Sequence, residues 1–441
     1  MNPDFLLTSP LARQLYHSCA AQLPIIDYHN HLDAAAIASN ARYENITRLW
    51  VASDPYKHRA MRILGVPEEK ITGSASDYEK FCAWYESLPR LAGNPLFDWS
   101  IMELKQVFDF DLLPFKPCEE VWEQLNSALQ TMTTADILGK FHIAYSAPCA
   151  ALTDDLSCFD GKTLCPSLRG DDLLLPEKAL LQKLGNPQTL CDYLAAIGEK
   201  LSDFYAAGCR FTDHALDNGF AYIPDDGKNG SRFTALLNGT LSDSEKAALS
   251  SCILKHLAGF YARLKLTMQL HLSAQRTTSA RLRSLAGKAG GYAAIGNSVN
   301  IAALCAFLDD VEQAGGLPDV LLFSLNPADN AALATLCGSY SADGRQALIS
   351  QGPAWWWCDH YQGMVAMLDT FATHSVLSTF VGMTTDSRSI LSFVRHDYFR
   401  RVLCQWMADM VAAHRLPEDM PLLQDMITRM CYANAKARIG G

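Results

Sequence analysis

The sequence lacks the features that mark membrane-spanning, exported or nucleic-acid-binding chains. No apolar run is long enough to cross a bilayer, and residues 1–20 lack the basic start of a signal peptide. The 441 residues carry a formal net charge of -10, so the cationic excess that nucleic acid requires is absent. The 14 cysteines include no Cys-x-x-Cys pair, a pattern typical of reduced thiols. We therefore expect a soluble cytoplasmic protein without membrane or nucleic-acid partners.

The chain also lacks internal repeats and low-complexity segments, and 49% of its residues are hydrophobic, which is enough for a sizeable core. Short apolar or alternating runs recur instead, separated by stretches of helical length and period. The eight runs are Pro24 to His31, His142 to Ala147, Thr163 to Leu168, Cys209 to Thr212, Leu266 to Leu270, Val320 to Leu325, Ala347 to Ser350 and Leu377 to Met383. Eight strands alternating with helices predict an α/β fold, a (β/α)8 barrel with parallel strands.

Two parts of the chain depart from this alternation. Residues 40–135 have helical patterns broken by Pro and Gly clusters, which predicts a helical insertion after the first strand. Residues 393–441 predict closing helices. The expected division is therefore 1–39 with strand one, 40–135 as the insertion, 136–392 as the remaining barrel and 393–441 as the C-terminal helices.

His29 and His31 end the first apolar run. In a strand, residues two apart point the same way, so both imidazoles would lie on one side. A buried strand that ends in two such histidines favours a metal site, and a structural histidine pair is the alternative.

Other polar residues follow the later runs, at the strand ends where a barrel of this type carries its active site. These are Arg169, Asp213 with His214, His271, Asp386 and Arg388. Two imidazoles and one carboxylate form a three-ligand site for a divalent ion, with open positions for substrate oxygens. Asp386 would supply the carboxylate, or would stay off the metal as a base.

The arginines and the second acid have their own expected roles. Arg169 and Arg388 are suited to a substrate carboxylate or to sugar oxygens, and structural ion pairs are the alternative. Asp213 and His271 could form a dyad in which the carboxylate fixes the tautomer and the imidazole moves a proton. His214 competes with Asp213 for this position, because neighbouring strand residues point to opposite faces.

Several longer blocks resemble one known family. They include residues 54–62 with 65–67, 153–155, 208–214, 268–271, 325–327, 354–356, 386–401 and 431–436. These blocks lie in family order over nearly the whole chain, and residues 386–401 resemble the C-terminal signature of the uronate isomerases, members of the amidohydrolase superfamily.

The resemblance implies an aldose–ketose isomerase that interconverts D-glucuronate with D-fructuronate and D-galacturonate with D-tagaturonate through a cis-enediol. It implies one divalent metal ion, with zinc expected first and manganese, iron or cobalt also suitable. The ligands would be His29, His31 and Asp386. The implied catalytic residues are Tyr56, Asp213, His271 and Asp386. The implied substrate-binding residues are Arg169, Arg388, Trp355 and Trp356.

Some segments depart from the family pattern. Pro55 stands where the family commonly has histidine, and His58 where it has tryptophan. Gln275 to Ser279 and Trp357 to His360 also differ. These changes leave the implied catalytic set intact, so they bear on which uronate is preferred.

Two other functions would use the same residues differently. A metal-dependent hydrolase of the sugar-lactonase type would share His29, His31 and Asp386, whereas Tyr56 and the paired arginines favour the isomerase. A non-catalytic sugar-acid-binding protein would have little need of a complete acid, base and ligand set. A small-molecule uronate is the expected partner, and a homo-oligomer is compatible with the sequence.

Overall fold

The computed structural model describes residues 2–287 and 290–440. Its strands are β1 (Ile25–Asn30), β2 (Ile143–Ala151), β3 (Ser167–Arg169), β4 (Phe211–Asp217), β5 (Thr267–Leu272), β6 (Ala274–Gln275), β7 (Ala294–Ile295), β8 (Asp319–Ser324) and β9 (Ile349–Gln351). Seven of them form one parallel sheet, in the order β1-β2-β3-β4-β5-β8-β9, that curves into a half-barrel. β6 and β7 pair separately and antiparallel. Every residue of β1 and β5 is buried, as expected for strands covered on both faces.

Seven of the eight predicted strands are therefore present, and the eighth is not a strand among the described residues. Part of the predicted run, Leu377–Thr379, is a single 3₁₀ turn. Gly382 has a φ of +87°, and a Cβ there would lie 2.3 Å from the carbonyl oxygen of Met430. Further along, Asp386 has a φ of +46°. These conformations prevent a regular strand ladder in this segment. The prediction is confirmed as a mixed α/β fold with a parallel sheet of seven strands.

This irregular segment nevertheless runs along the free edge of β1. The amide of Asp386 donates to the carbonyl of His29 at 3.0 Å, and the amide of His31 donates to the carbonyl of Ser387 at 2.8 Å. Below them, the Tyr28 hydroxyl donates to the carbonyl of Gly382 at 3.0 Å. The segment is thereby fixed beside the two histidines.

Seven helices lie between β1 and β2, where the sequence predicts the insertion. They are α2 (Ala34–Ala38), α3 (Ile46–Trp50), α4 (Pro55–Ile63), α5 (Asp77–Ser87), α6 (Pro95–Phe108), α7 (Cys118–Leu129) and α8 (Thr134–Leu138), and α1 (Pro10–Ser18) precedes β1. Capping boxes at Ser76 and at Thr133 begin α5 and α8. Cys82 and Cys118 are joined as a disulfide, so the expectation of reduced thiols fails at this pair.

The remaining helices cover the sheet and close the chain. They are α9 (Lys178–Lys183), α10 (Leu190–Ala206), α11 (Asn229–Leu237), α12 (Asp243–Leu264), α13 (Ala280–Ala286), α14 (Ile301–Gln313), α15 (Asn330–Ser339), α16 (Tyr361–His374), α17 (Val394–Ala412), α18 (Met420–Thr428) and α19 (Asn434–Ile439). α17 is buried along most of its length and packs on α1, α6 and α16. No helix within the described part of the chain is both long and apolar enough to span a membrane.

Three apolar clusters support this arrangement. One joins the helices of the insertion to α17, and a second lies between the sheet and its outer helices. The third is smaller and contains Tyr28, Tyr145, Phe211, Leu321 and Phe323, which come from four different strands. This inner cluster includes the rings of Tyr28 and Phe211, whose centroids are 5.4 Å apart.

Candidate active site

A cavity of about 510 Å³ opens at the carboxyl ends of the parallel strands. Its lining includes all ten residues that the sequence and the resemblance indicate: His29, His31, Tyr56, Arg169, Asp213, His271, Trp355, Trp356, Asp386 and Arg388. The carboxyl ends of the parallel strands, the start of α4 and the irregular segment beside β1 meet here, and they bring together residues as far as 359 apart in the sequence.

His29 and His31 converge on one carboxylate. Their Nε2 atoms lie 3.3 and 2.9 Å from Oδ1 of Asp386. The indole nitrogen of Trp355 donates to the other carboxylate oxygen at 2.8 Å. Burial alone would raise the pKa of Asp386, but the two imidazoles hold it well below its usual range. The carboxylate is therefore ionised and directed towards both histidines.

Asp27 holds the two segments that carry these ligands, and sequence reasoning missed it. This fully buried carboxylate accepts hydrogen bonds from the Thr385 amide at 2.7 Å and from the hydroxyls of Thr384 and Thr385 at 2.9 and 2.8 Å. The Asn30 amide donates to it at 2.8 Å, and His396 Nε2 lies 3.2 Å away. The only sequence signal was an acid inside an apolar strand, which requires buried partners.

Asp213 and His271 form a buried pair. Nδ1 of His271 lies 2.6 Å from Oδ1 of Asp213, and each side chain is 2% exposed. Burial favours the neutral acid, but His271, His29 and Arg169 hold the pKa of Asp213 well below its usual range. Burial lowers the pKa of His271 against the opposing charge of Asp213. The pair therefore combines an ionised carboxylate with an imidazole that is neutral near neutral pH.

The other nitrogen of this imidazole, His271 Nε2, is buried and has no hydrogen-bond partner within the described residues. The competing histidine, His214, points away from the cavity, where its Nε2 lies 2.9 Å from the hydroxyl of Tyr261. The alternation of strand faces explains this outcome, because Asp213 and His214 are neighbours in β4.

The two arginines differ in their partners. Arg169 pairs with Asp171 at 2.8 Å and places its Nη1 3.4 Å from Asp213 Oδ2. It thus has the structural ion pair that was the alternative reading, and it still lines the cavity. Arg388 is half-buried, and no carboxylate lies within ion-pair distance of it in residues 2–287 and 290–440. Its guanidinium is available to an anion.

Tyr56 enters the cavity from the insertion, at the start of α4. Asp54 caps this helix by accepting from the Tyr56 amide at 2.9 Å, and Pro55 occupies the first helical position. The Tyr56 ring contacts Trp357 at 5.1 Å, and the guanidinium of Arg395 lies 4.8 Å from it. Burial raises the pKa of the phenol well above its usual range, against the effect of Arg395. The hydroxyl is thus held protonated.

Comparisons with known proteins decide the family. The sequence model of the glucuronate isomerase family matches residues 1–438. A uronate isomerase of Vibrio vulnificus is 36% identical over 457 residues, covering 98% of this chain and 97% of that protein. One from Caldicellulosiruptor saccharolyticus is 36% identical over 459 residues, covering 100% and 99%.

The chain belongs to the glucuronate isomerase family. The family resemblance and the enzyme class predicted from the sequence are confirmed. A crystal structure of a uronate isomerase from Thermotoga maritima superposes with a TM-score of 0.92 at 27% identity, covering 100% of this chain and 99% of that one.

The departures from the family pattern lie at or near this cavity. Arg276, within the altered segment after His271, lines it and lies 5.1 Å from the ring of Trp356. Nε of Arg276 is 2.6 Å from Asp217 of β4, which also lines the cavity. Arg276 belongs to the altered segment that the sequence analysis linked to substrate preference, whereas Asp217 was not predicted, because its approach to Arg276 depends on the turn that separates β5 from β6.

His58, the second departure in α4, gives a prediction for the pH dependence of stability. It is 6% exposed, and burial lowers its pKa from 6.5 to about 4, against the opposing charge of Asp54. Folding favours the neutral form of His58, which therefore adds to the free energy of unfolding. This addition is complete above pH 6.5 and is lost as the pH falls through about 4. At about pH 5 the free energy of unfolding has fallen by about 2 kcal/mol on this account.

His58→Gln is therefore expected to lose less unfolding free energy than wild type between about pH 7 and about pH 5. Urea unfolding at both values measures the difference between the two proteins. His142→Gln, at an exposed position, is the control and should behave like wild type. Parallel pH dependence of wild type and His58→Gln would contradict the assignment.

Proposed function

We propose that the chain interconverts D-glucuronate with D-fructuronate and D-galacturonate with D-tagaturonate. The observation that carries this proposal is the placement of the Asp213–His271 pair, Tyr56 and the free guanidinium of Arg388 around one cavity. An isomerase needs a group for each proton that moves and a cation for the substrate carboxylate.

The arginines bind the substrate in this mechanism. Arg388 takes the uronate carboxylate in a bidentate pair, and Arg169, which lines the same cavity, assists. Trp355 and Trp356 supply apolar walls against which the sugar carbons pack. The open-chain form is thereby oriented with its C1 end towards His271.

Proton transfer follows from the protonation states. The Asp213 carboxylate fixes His271 with Nδ1 protonated, so Nε2 accepts the C1 hydroxyl proton as the ring opens and the ring oxygen takes a proton from Tyr56 or from solvent. His271 returns its proton to the C1 oxygen while the Asp386 carboxylate or Tyr56 takes the C2 proton, which gives the cis-enediol. Return of that proton to C1, with loss of the C2 hydroxyl proton to solvent, gives the ketose. Tyr56, held protonated by burial, is suited to donate.

We also propose that His29, His31 and Asp386 hold one divalent ion. The fit rests on two imidazole nitrogens within 3.3 Å of a shared carboxylate oxygen, which is close to the separation of ligands around one ion. Zinc suits this set, and manganese, iron or cobalt would also suit it. When bound, the ion supplies Lewis-acid stabilisation of charge on the substrate oxygens.

We extend the proposal to the organisation of the chain. The segment beside β1 replaces an eighth strand, so that 1–39 and 136–392 form a (β/α)8 barrel of amidohydrolase type. Residues 40–135 serve as an insertion that delivers Tyr56, and 393–441 close the barrel. The cytoplasm is the proposed location, since twelve cysteines are free thiols.

The test is turnover of both uronates by purified, metal-replete protein, followed by the appearance of ketose. Isomerisation through an enediol in D2O is expected to introduce deuterium at C1 or C2. Hydrolysis of a sugar lactone without ketose formation from either uronate would contradict the proposal and favour a lactonase. The ratio of the two rates reports on the altered segment around Arg276.

A further inference from the structure

A second cavity, of about 390 Å³, adjoins the reaction cavity, which is the one lined by the candidate active-site residues. This second cavity lies between α4, the start of α6, β7 and the turn that follows β9, and we call it the α4 cavity. Tyr56 and Trp356 line both cavities, whereas Arg59 and Asp359 line the α4 cavity and not the reaction cavity. A ligand in the α4 cavity would therefore lie beside a bound uronate.

Asp359 gives the α4 cavity a buried acceptor. Its side chain is 3% exposed, and its Oδ2 accepts from Nη1 of Arg395 at 2.9 Å. The other oxygen, Oδ1, has no hydrogen-bond partner among the described residues. Burial raises the pKa of this carboxyl to about 6 against the effect of Arg395, so it is ionised at neutral pH. Because an unpaired buried acceptor costs free energy, this oxygen favours a ligand that brings a hydroxyl donor.

Arg59 gives the same cavity a cation. Its guanidinium carbon lies 4.7 Å from the ring centroid of Trp357, which also lines the α4 cavity. Its Nη1 donates to the carbonyls of Gly291 and Ala293 at 3.4 and 3.1 Å, which fixes the side chain. No carboxylate within residues 2–287 and 290–440 lies within ion-pair distance of Arg59. Its charge is therefore available to an anion.

Much of the remaining lining is apolar. Its indoles are those of Trp99, Trp356 and Trp357. Such surfaces bind the apolar part of a ligand, while a few polar groups fix its orientation. A carboxylate for Arg59, a hydroxyl for Asp359 and C–H surface for the indoles are combined in one kind of small molecule, a sugar acid in its ring form.

We propose that the α4 cavity is a second subsite for a uronic-acid unit, which places its carboxylate on Arg59 and a hydroxyl on Oδ1 of Asp359. The inference deepens the proposed function and rests on it for the unit that occupies the reaction cavity. The second unit is either a free uronate or the neighbour of the reducing unit in a linked diuronide. A link through O4 leaves C1, C2 and O5 of the reducing unit free, so ring opening and proton transfer neither form nor break a bond at the link.

Binding of methyl α-D-galactopyranosiduronate tests the subsite without turnover, because the locked ring of this glycoside cannot open to an aldehyde. Calorimetric titration of wild type is expected to show a molecule in the α4 cavity. Arg59→Met should weaken the binding of that molecule by about 10-fold through loss of a charge-assisted pair, and Arg59→Lys should keep part of the affinity. No binding, or binding that is unchanged in Arg59→Met, would overturn the proposal.

Ile63→Glu tests the location of the bound molecule. Ile63 lines the α4 cavity and not the reaction cavity, and it is 73% exposed, so the new charge lies at the rim and should repel the carboxylate of the glycoside. Val376→Glu, at a position that is 61% exposed and lines neither cavity, is the matched control and should bind as wild type does. Equal affinity in the two variants would place the molecule elsewhere and would contradict the proposal.

Turnover of 4-linked digalacturonate distinguishes the two sources of the second unit. For a linked unit, the ratio of kcat/KM on digalacturonate to kcat/KM on galacturonate should fall in Arg59→Met and in Ile63→Glu, but not in Val376→Glu. Glycoside binding that depends on Arg59, without turnover of digalacturonate, would assign the cavity to a free uronate. Absence of ketose from both monomeric uronates, with that binding intact, would contradict the proposed function and leave the subsite standing.

Discussion

Asp213→Asn is expected to lower kcat on the preferred uronate by about 10²- to 10⁴-fold, the usual contribution of general acid–base catalysis. The carboxylate lies 2.6 Å from Nδ1 of His271, so it fixes which nitrogen carries the proton. An amide can present its own donor to Nδ1 and favour the wrong tautomer. It also removes the charge that stabilises a protonated His271.

The measurement is steady-state kinetics together with binding of the substrate to the variant. kcat should fall much more than KM changes, because the pair acts on protons rather than on the carboxylate of the substrate. Asp319→Asn, which loses an acid at the opposite end of the sheet, is the control and should retain turnover. Near wild-type turnover in Asp213→Asn, with the fold intact, would remove the pair from the mechanism.

The strands were predictable because each is a short apolar run, and burial on both faces imposes that composition. The eighth predicted run has the same composition, and it failed for a reason that composition does not contain. Gly382 approaches the backbone at Met430, and Asp386 adopts a left-handed conformation. Such conformations depend on partners far away in the sequence.

The same dependence on distant partners separates the site residues that the sequence could predict from those that it could not. His29, His31 and Asp213 could be found from the sequence because they follow or end apolar strands, and strand ends converge in a parallel barrel. Tyr56 could not, because it lies on a helix of the insertion, and only the family resemblance indicated it. Asp27 was missed because its partners Thr384 and Thr385 lie far away in the sequence.

The helical insertion does more than supply Tyr56 to the cavity. Its interior contains a buried group of charged side chains close to the start of α4. Nζ of Lys57 is 3.1 Å from Glu103 Oε2 and 3.2 Å from Asp54 Oδ2, and it donates to the carbonyl of Trp50 at 2.8 Å. All three charged side chains are at most 5% exposed. Asp54 also caps α4, so this group of charges fixes the turn from which Tyr56 projects.

Lys57→Met is therefore expected to lower the free energy of unfolding by about 3–5 kcal/mol, because removing one partner leaves uncompensated buried charge. Two carboxylates would then face each other without a cation. kcat should fall as well, since the α4 cap shifts. This loss of kcat should be smaller at lower temperature. Denaturant unfolding and turnover of the same preparation measure the two effects.

The matched control is Lys246→Met, which breaks the ion pair with Asp243 on the surface. Exposed pairs of this kind contribute about 0–1 kcal/mol, so this variant should unfold close to wild type and keep its turnover. If Lys57→Met were no less stable than the control, the buried charges would not be what holds α4. If it lost stability but kept its kcat, Tyr56 would not depend on the cap for its position.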